Sequence, residues 1–169
     1  AKQYQIDLVG GDTVSGGELA ISVTVFGEVE RGKARYRQLA RPGDIIFVTG
    51  TLGDAQAGLE LLLAPEKYTI KGPLQETLIL RHQQPTPRVE FARALLPLKR
   101  VALNDISDGI SNELHEIATS SGVTLIIEDA KIPLSEGLMQ FPRNKRDAWK
   151  LIAGEDFELL GNVPQEDFA

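Results

Sequence analysis

Apolar residues recur along the chain with two periods, one of two residues and one of about 3.6 residues, which predict strands and helices respectively. Alternation or short apolar runs predict strands at 4–8, 18–27, 45–48, 101–106, 123–128 and 157–160. Helical spacing and terminating residues predict helices at 31–40, 54–64, 74–82, 88–96, 110–121 and 146–153. This mixture of elements predicts an α/β or α+β fold.

The length of 169 residues suits one domain, or one domain with part of another. Hydrophobic residues make up 42% of the chain and charged residues 25%, an ordinary balance for a globular protein. The chain begins with Ala1 and enters a strand pattern almost at once, and we therefore expect it to be a fragment. A modest change of pattern near 38–44 is the one candidate domain boundary.

The net charge of −6 argues against a nucleic-acid-binding protein, since such surfaces cluster Lys and Arg. The absence of cysteine excludes disulfides and thiolate metal sites, and the cytoplasm is the default expectation. No apolar run approaches the roughly 20 residues of a membrane span, and no signal-peptide pattern opens the chain.

Two glycine patterns imitate nucleotide-binding motifs. Residues 27–33 match the G-x-x-x-x-G-K part of a P-loop, but Ala34 stands where the motif needs a hydroxyl for magnesium, and Glu28 and Glu30 would repel phosphate. The glycines of residues 50–58 lack the spacing of a dinucleotide fold. We interpret both as chance matches or packing features.

Acidic residues at predicted turns are the candidates for chemistry. Asp12 follows two glycines, and Asp105 and Asp108 lie between a predicted strand and a predicted helix. Carboxylates at such junctions can hold Mg²⁺ while a helix N-terminus meets phosphate. They can equally be ordinary turn and capping residues.

A second acidic turn follows the last predicted helix. Glu155 and Asp156 are adjacent and precede a predicted strand, so one can face a ligand and the other a metal, or both can be solvated. Neither histidine, His82 or His115, has a Ser or Cys partner that suggests a nucleophilic triad.

Taken together, several motifs in order make the chain resemble the thiamine-monophosphate kinase family. The sharpest is Asp105-Ile106-Ser107-Asp108-Gly109, because families that share the fold have other residues there. The motifs cover nearly the whole chain, at residues 8–13, 27–34, 41–54, 84–89, 105–109 and 154–159.

The resemblance implies a two-domain AIR synthetase-like fold of the α/β (α+β) class, unrelated to P-loop kinases. It assigns residues 1–38 to the end of the N-terminal ATP- and magnesium-binding domain, and residues 39–169 to most of the C-terminal domain. It also implies a homodimer in the full-length protein, ATP as co-substrate and several Mg²⁺ ions.

The resemblance also assigns roles to individual positions. It implies Mg²⁺ ligands at Asp12, Asp105 and Asp108, and a substrate-binding acid at Glu155. It implies ATP contacts at Gly11, Asp12, Arg37 and Ser107.

The implied reaction is direct in-line transfer of the ATP γ-phosphoryl to thiamine monophosphate, without a covalent enzyme intermediate. Family members have further acidic ligands before this region and an aromatic residue after it, so we expect the isolated chain to lack a complete site. Two alternatives stay open: a related synthetase of the same fold, such as aminoimidazole ribonucleotide synthetase, and a non-catalytic nucleotide-binding or dimerisation fragment.

Overall fold

The computed structural model describes residues 2–168, and almost all of its regular elements lie in the second of two units, which divide between Ala34 and Arg35. The three strands are β1 (Ile45–Val48), β2 (Ala102–Asp105) and β3 (Leu159–Val163). The α-helices are α1 (Asp54–Leu63), α2 (Pro73–Gln83), α3 (Val89–Ala94), α4 (Ile110–Ser121) and α5 (Arg143–Ile152). Short 3₁₀ helices are found at Lys2–Tyr4, Arg37–Leu39, Pro65–Lys67, Asp129–Lys131, Leu138–Gln140 and Gln165–Asp167.

The strands form one antiparallel sheet in the order β1-β3-β2. The last strand of the chain is therefore the central one, and it pairs Ile45 with Val163 on one side and Ala102 with Asn162 on the other. The predicted α+β class is confirmed.

Helix α4 covers one face of the sheet because its apolar residues recur on one side. Ile110, Leu114 and Ile117 are buried together with Leu160 of the central strand. Gly122 ends the helix at φ 65°, a left-handed conformation that glycine adopts without steric cost. The sequence prediction of this helix and its C-cap is confirmed.

A second cluster of buried apolar residues joins helices α1 and α2 to the segment before α5. It includes Leu61, Leu78, Leu138 and Phe141. The first cluster includes Ile106, just after β2, and Leu160 of β3, and the residues of interest lie beside these two positions.

The predicted strands at 4–8 and 18–27 are absent from the described part of the first unit. Residues 2–4 form a 3₁₀ turn, and no residue from 5 to 30 belongs to a β ladder. The alternating side chains remain exposed: Leu8 is 91% exposed and Leu19 90%. Alternation predicts a strand only if a neighbouring strand completes its hydrogen bonds, and none pairs here.

Two further predictions are wrong. Where the helix at 31–40 is predicted, the structure has one 3₁₀ turn, Arg37–Leu39: Tyr36 before it is extended, and the backbone N–H of Ala40 after it donates to Ser121 Oγ at 3.2 Å. The predicted strand at 123–128 has no ladder partner in the described chain. Its alternation is nevertheless real, since Val123, Leu125 and Ile127 pack on the α4 cluster.

Among residues 2–168, no helix combines the length and apolar character needed to cross a membrane.

Candidate functional site

The Asp105–Gly109 motif forms the junction between strand β2 and helix α4. Asp105 ends the strand, Ile106 is buried and anchors the loop, and Asp108 is exposed just before the helix begins. In the described part of the chain, neither Asp105 nor Asp108 has an ion pair or a side-chain hydrogen bond. Two exposed, unpaired carboxylates at the N-terminal end of a helix can accept a hard cation.

The turn at residues 154–158 lies directly against this junction. The backbone N–H of Glu155 donates to the carbonyl of Ser107 at 2.9 Å, and that of Phe157 donates to the carbonyl of Ile106, also at 2.9 Å. In return, the N–H of Ile106 donates to the carbonyl of Glu158 at 2.8 Å. Three backbone hydrogen bonds thus join two motifs that are about fifty residues apart in sequence.

Glycine makes this close approach possible. A Cβ at Gly154 would lie 2.3 Å from the carbonyl oxygen of Ser107, and one at Gly109 would lie 2.8 Å from the carbonyl carbon of Ile152. Because Gly109 and Gly154 have no side chain, the neighbouring backbone segments can approach this closely.

The turn itself has an unusual backbone. Glu155 and Phe157 have positive φ angles of 68° and 49°. Non-glycine residues keep such angles only where the surroundings determine them, at a cost of about 1–3 kcal/mol each. The strained turn leaves the Glu155 side chain exposed and turns Asp156 inward.

Asp156 is buried and binds the start of helix α1. Its two carboxylate oxygens accept the backbone N–H groups of Gly53 at 2.7 Å and Ala55 at 3.0 Å. Burial raises the pKa of Asp156 to about 6, although these two hydrogen bonds oppose the shift. The two adjacent acids thus have different environments, and the outward one, Glu155, is the candidate for ligand binding.

Glu158 is fully buried and lies in a cluster of charged residues that the sequence analysis did not single out. Its carboxylate accepts hydrogen bonds from Thr49 Oγ1 at 2.5 Å, Arg81 Nη2 at 2.5 Å, and Arg88 Nε and Nη2 at 2.6 and 2.5 Å. Burial raises the pKa of Glu158, but the hydrogen bonds from Arg88, Thr49 and Arg81 outweigh it and hold the pKa below its ordinary value.

The sequence held a partial signal for this cluster. Arg88 follows Pro85 and Pro87, whose rings restrict the backbone, and Glu158 lies inside the 154–159 motif. Nothing in the local pattern pairs the two, because 70 residues separate them.

The remaining predicted site residues lie elsewhere. Gly11 and Asp12 belong to the first unit, where Asp12 Oδ1 accepts the backbone N–H of Thr13 at 2.8 Å. Arg37 lies at the start of the second unit and pairs with Glu116 at 2.7 Å, with both side chains nearly half exposed.

Among the predicted site residues, the structure brings the backbone segment that contains Asp105, Ser107 and Asp108 against that of Glu155. Among residues 2–168, no group of three or more acidic or histidine side chains is arranged to hold a metal.

The glycine pattern at 27–33 is not a P-loop. Gly32 adopts a positive φ of 81° in a turn, and neither a strand before it nor a helix directly after it is present in the described chain. A working P-loop needs both elements to present its backbone N–H groups to phosphate.

Residues 41–167 match the family described as AIR synthase related protein, C-terminal domain. This chain belongs to that family. Over 169 residues the chain is 45% identical to the thiamine-monophosphate kinase of Bacillus subtilis, an alignment that covers 99% of this chain and 52% of that protein.

Solved structures of family members agree. The thiamine-monophosphate kinase of Stenotrophomonas maltophilia matches with a TM-score of 0.76 and 33% identity, over 83% of this chain and 45% of that one. AaThiL complexed with AMPPCP and TMP matches with a TM-score of 0.70 and 38% identity, over 79% and 43%. This member of the AIR synthase related family thus spans about half the length of the relatives it matches.

Proposed function

We propose that this chain is part of a thiamine-monophosphate kinase, which transfers the γ-phosphoryl group of ATP to thiamine monophosphate and yields thiamine diphosphate and ADP. The observation that supports this most directly is the contact between the 105–109 junction and the 154–158 turn. It places two unpaired Asp carboxylates and the exposed Glu155 on adjoining backbone segments. The similarity to AaThiL, which binds AMPPCP, an ATP analogue, and TMP, supports both substrates.

Asp105 and Asp108 are the proposed Mg²⁺ ligands in the second unit, and Asp12 is the proposed ligand in the first. The two junction carboxylates fit this use, since both are exposed and neither is paired within residues 2–168. Magnesium usually takes one or two protein carboxylates and completes its shell with water and phosphate oxygens. When bound, it would supply positive charge between two anionic phosphates.

Ser107, Gly11, Asp12 and Arg37 are the proposed ATP contacts. Ser107 precedes helix α4, whose N-terminal end favours negative charge. The pair between Arg37 and Glu116 is substantially exposed, so little free energy is lost if the guanidinium exchanges this partner for a phosphate.

Glu155 is the proposed contact to thiamine monophosphate. The acceptor phosphate is already anionic at neutral pH, so the chain need not supply a strong general base. Its residues act by position: the junction and the turn hold the two substrates beside each other, which lowers the entropic part of the barrier. The transfer is direct and in line, and none of the proposed residues forms a covalent intermediate.

We further propose that residues 1–38 end an ATP- and magnesium-binding domain and that residues 39–169 form most of the C-terminal domain. The division of the structure near Ala34 and the family match from residue 41 support this placement. A homodimer in the cytoplasm is the proposed working form.

The test is thiamine diphosphate formation from ATP, Mg²⁺ and thiamine monophosphate, measured for this 169-residue chain and for the complete gene product side by side. Product from the complete gene product, and little or none from the isolated chain, is the expected result. Failure of both to form product would refute the thiamine assignment.

Two controls distinguish the alternatives. Turnover of a formylglycinamidine ribonucleotide would point to the related synthetase instead. Tight, magnesium-dependent ATP binding without turnover by the complete gene product would identify a nucleotide-binding module.

A further inference from the structure

We propose that Arg88 is a positioning residue for Glu155 and thereby sets the affinity for the phosphoryl acceptor. It acts through Glu158, whose two carboxylate oxygens each accept a hydrogen bond from the Arg88 guanidinium, an arrangement called the Arg88 fork below. The proposal rests on the function proposed above for the identity of that acceptor and for its contact with Glu155. Its structural part, that Arg88 holds the backbone of the 154–158 turn, can be tested without any activity.

The 154–158 turn keeps its conformation only if contacts from other segments hold its backbone. Glu155 and Phe157 have positive φ angles, which relax unless both ends of the turn are held. The backbone hydrogen bonds to Ile106 and Ser107 hold one side of the turn. Asp156 holds it from beneath through the N-terminus of helix α1.

Glu158 is a further anchor, at the point where the turn becomes strand β3 and the backbone N–H of Leu159 donates to Thr49 Oγ1 at 2.8 Å. Its side chain is fully buried, and its two oxygens accept four hydrogen bonds from Thr49, Arg81 and Arg88. A carboxylate in this position keeps its place only while its cations remain, since an unpaired buried charge is strongly unfavourable.

Among the partners of Glu158, Arg88 is the one that fixes the orientation of the carboxylate. It donates Nε to one oxygen of Glu158 and Nη2 to the other, so it fixes the rotation of the carboxylate as well as its charge. Arg81 donates a single Nη2 bond to Glu158, and its Nε lies 4.0 Å from Asp54. The Arg88 fork comes from a separate segment, restricted by Pro85 and Pro87.

The variants are Arg88→Met, which removes charge and fork, and Arg88→Lys, which keeps the charge but cannot form the fork. Arg93→Met is the matched control, because Arg93 lies on helix α3, which begins directly after Arg88, and it is largely exposed and pairs only with Glu90 in the described chain. Thermal unfolding of each variant shows that it is folded before it is compared.

The structural readout is amide hydrogen exchange of the 169-residue chain, followed at Phe157, whose N–H is bonded to Ile106. We expect exchange at Phe157 to accelerate by about tenfold or more in Arg88→Met, and not in Arg93→Met. Unchanged exchange at Phe157 in folded Arg88→Met and Arg88→Lys would overturn the proposal, whatever the activity of the protein.

The functional readout is the kinetics of the complete gene product. Arg88→Met should raise KM for thiamine monophosphate by about tenfold or more and leave KM for ATP nearly unchanged, and Arg88→Lys should restore only part of the loss. In a Glu155→Gln background, Arg88→Met should have no further effect on the acceptor KM, since both changes remove the same contact. Equal effects on both substrates, or effects that simply add in the double variant, would refute the positioning role.

Absence of activity in the wild-type protein would refute the proposed function instead, and the exchange measurement would still decide whether Arg88 positions the turn.

Discussion

Substitution of Gly154 by alanine tests whether the junction and the turn depend on the close approach seen in the structure. The added Cβ would lie 2.3 Å from the carbonyl oxygen of Ser107. A comfortable carbon–oxygen contact needs about 3.3 Å, so the two backbones must separate by about 1 Å. The same carbonyl accepts the N–H of Glu155 at 2.9 Å, and that bond would be lost or weakened.

The expected cost follows from these two effects. Forcing extra atoms into a packed site costs about 1–3 kcal/mol. Losing one backbone hydrogen bond adds about 1 kcal/mol. We therefore expect Gly154→Ala to lower the free energy of unfolding by about 2–4 kcal/mol.

Urea unfolding of the 169-residue chain, followed by the fluorescence of its single tryptophan, measures this change. Trp149 lies on helix α5 and packs against Phe141, so it reports on the second unit. Gly27→Ala is the control, because nothing lies within 4 Å of its added Cβ and its φ is not positive. A loss below about 0.5 kcal/mol for Gly154→Ala, similar to the control, would show that the two motifs are not in contact as described.

Three further predictions concern single carboxylates and their partners. Asp108→Asn should cut thiamine diphosphate formation by the complete gene product by orders of magnitude while barely changing its thermal unfolding; near-normal turnover would remove Asp108 from the site. The pKa of Asp156 is raised from 3.8 to about 6, so between these pH values the native state binds more protons than the unfolded state. The contribution of Asp156 to the free energy of unfolding therefore falls as the pH rises from 3.8 to 6. The unfolding free energy of wild type minus that of Asp156→Asn should therefore fall by about 2 kcal/mol from pH 4 to pH 7, and a flat difference would contradict the effect of burial. Arg100→Met should lower stability by about 2–3 kcal/mol at pH 7, because it removes the two charge-assisted hydrogen bonds, at 2.5 and 2.7 Å, that Arg100 donates to the half-buried Asp44. In urea unfolding, a loss under about 0.5 kcal/mol would refute this.

The elements predicted correctly are mainly those whose stabilising interactions are local in sequence. Strand β1 and helices α1, α2, α4 and α5 were predicted close to their observed bounds. Helix α4 shows why: its apolar spacing and the C-cap glycine at 122 are local features that a helix satisfies within itself. The strands predicted at 4–8, 18–27 and 123–128 failed because strand hydrogen bonds require a partner that alternation alone cannot supply.

For the candidate site, the sequence by itself determined the chemical groups. Asp105, Asp108 and Glu155 were singled out from turn chemistry and motif order, and the first two lie where a strand ends and a helix begins, as expected. The local sequence could also place glycines at 109 and 154, but not what they approach.

Only the tertiary structure decided which groups meet. The bonds from Glu155 and Phe157 to the 106–107 backbone span some fifty residues, and those from Arg81 and Arg88 to Glu158 span 77 and 70 residues. The tertiary structure also decided that Asp156 faces inward while Glu155 faces out. The positive φ angles that cause this, at Glu155 and Phe157, are not predictable from the residue types. The physical reason is that local sequence fixes backbone preference and side-chain chemistry, whereas contacts between distant segments depend on how the whole chain buries its apolar surface.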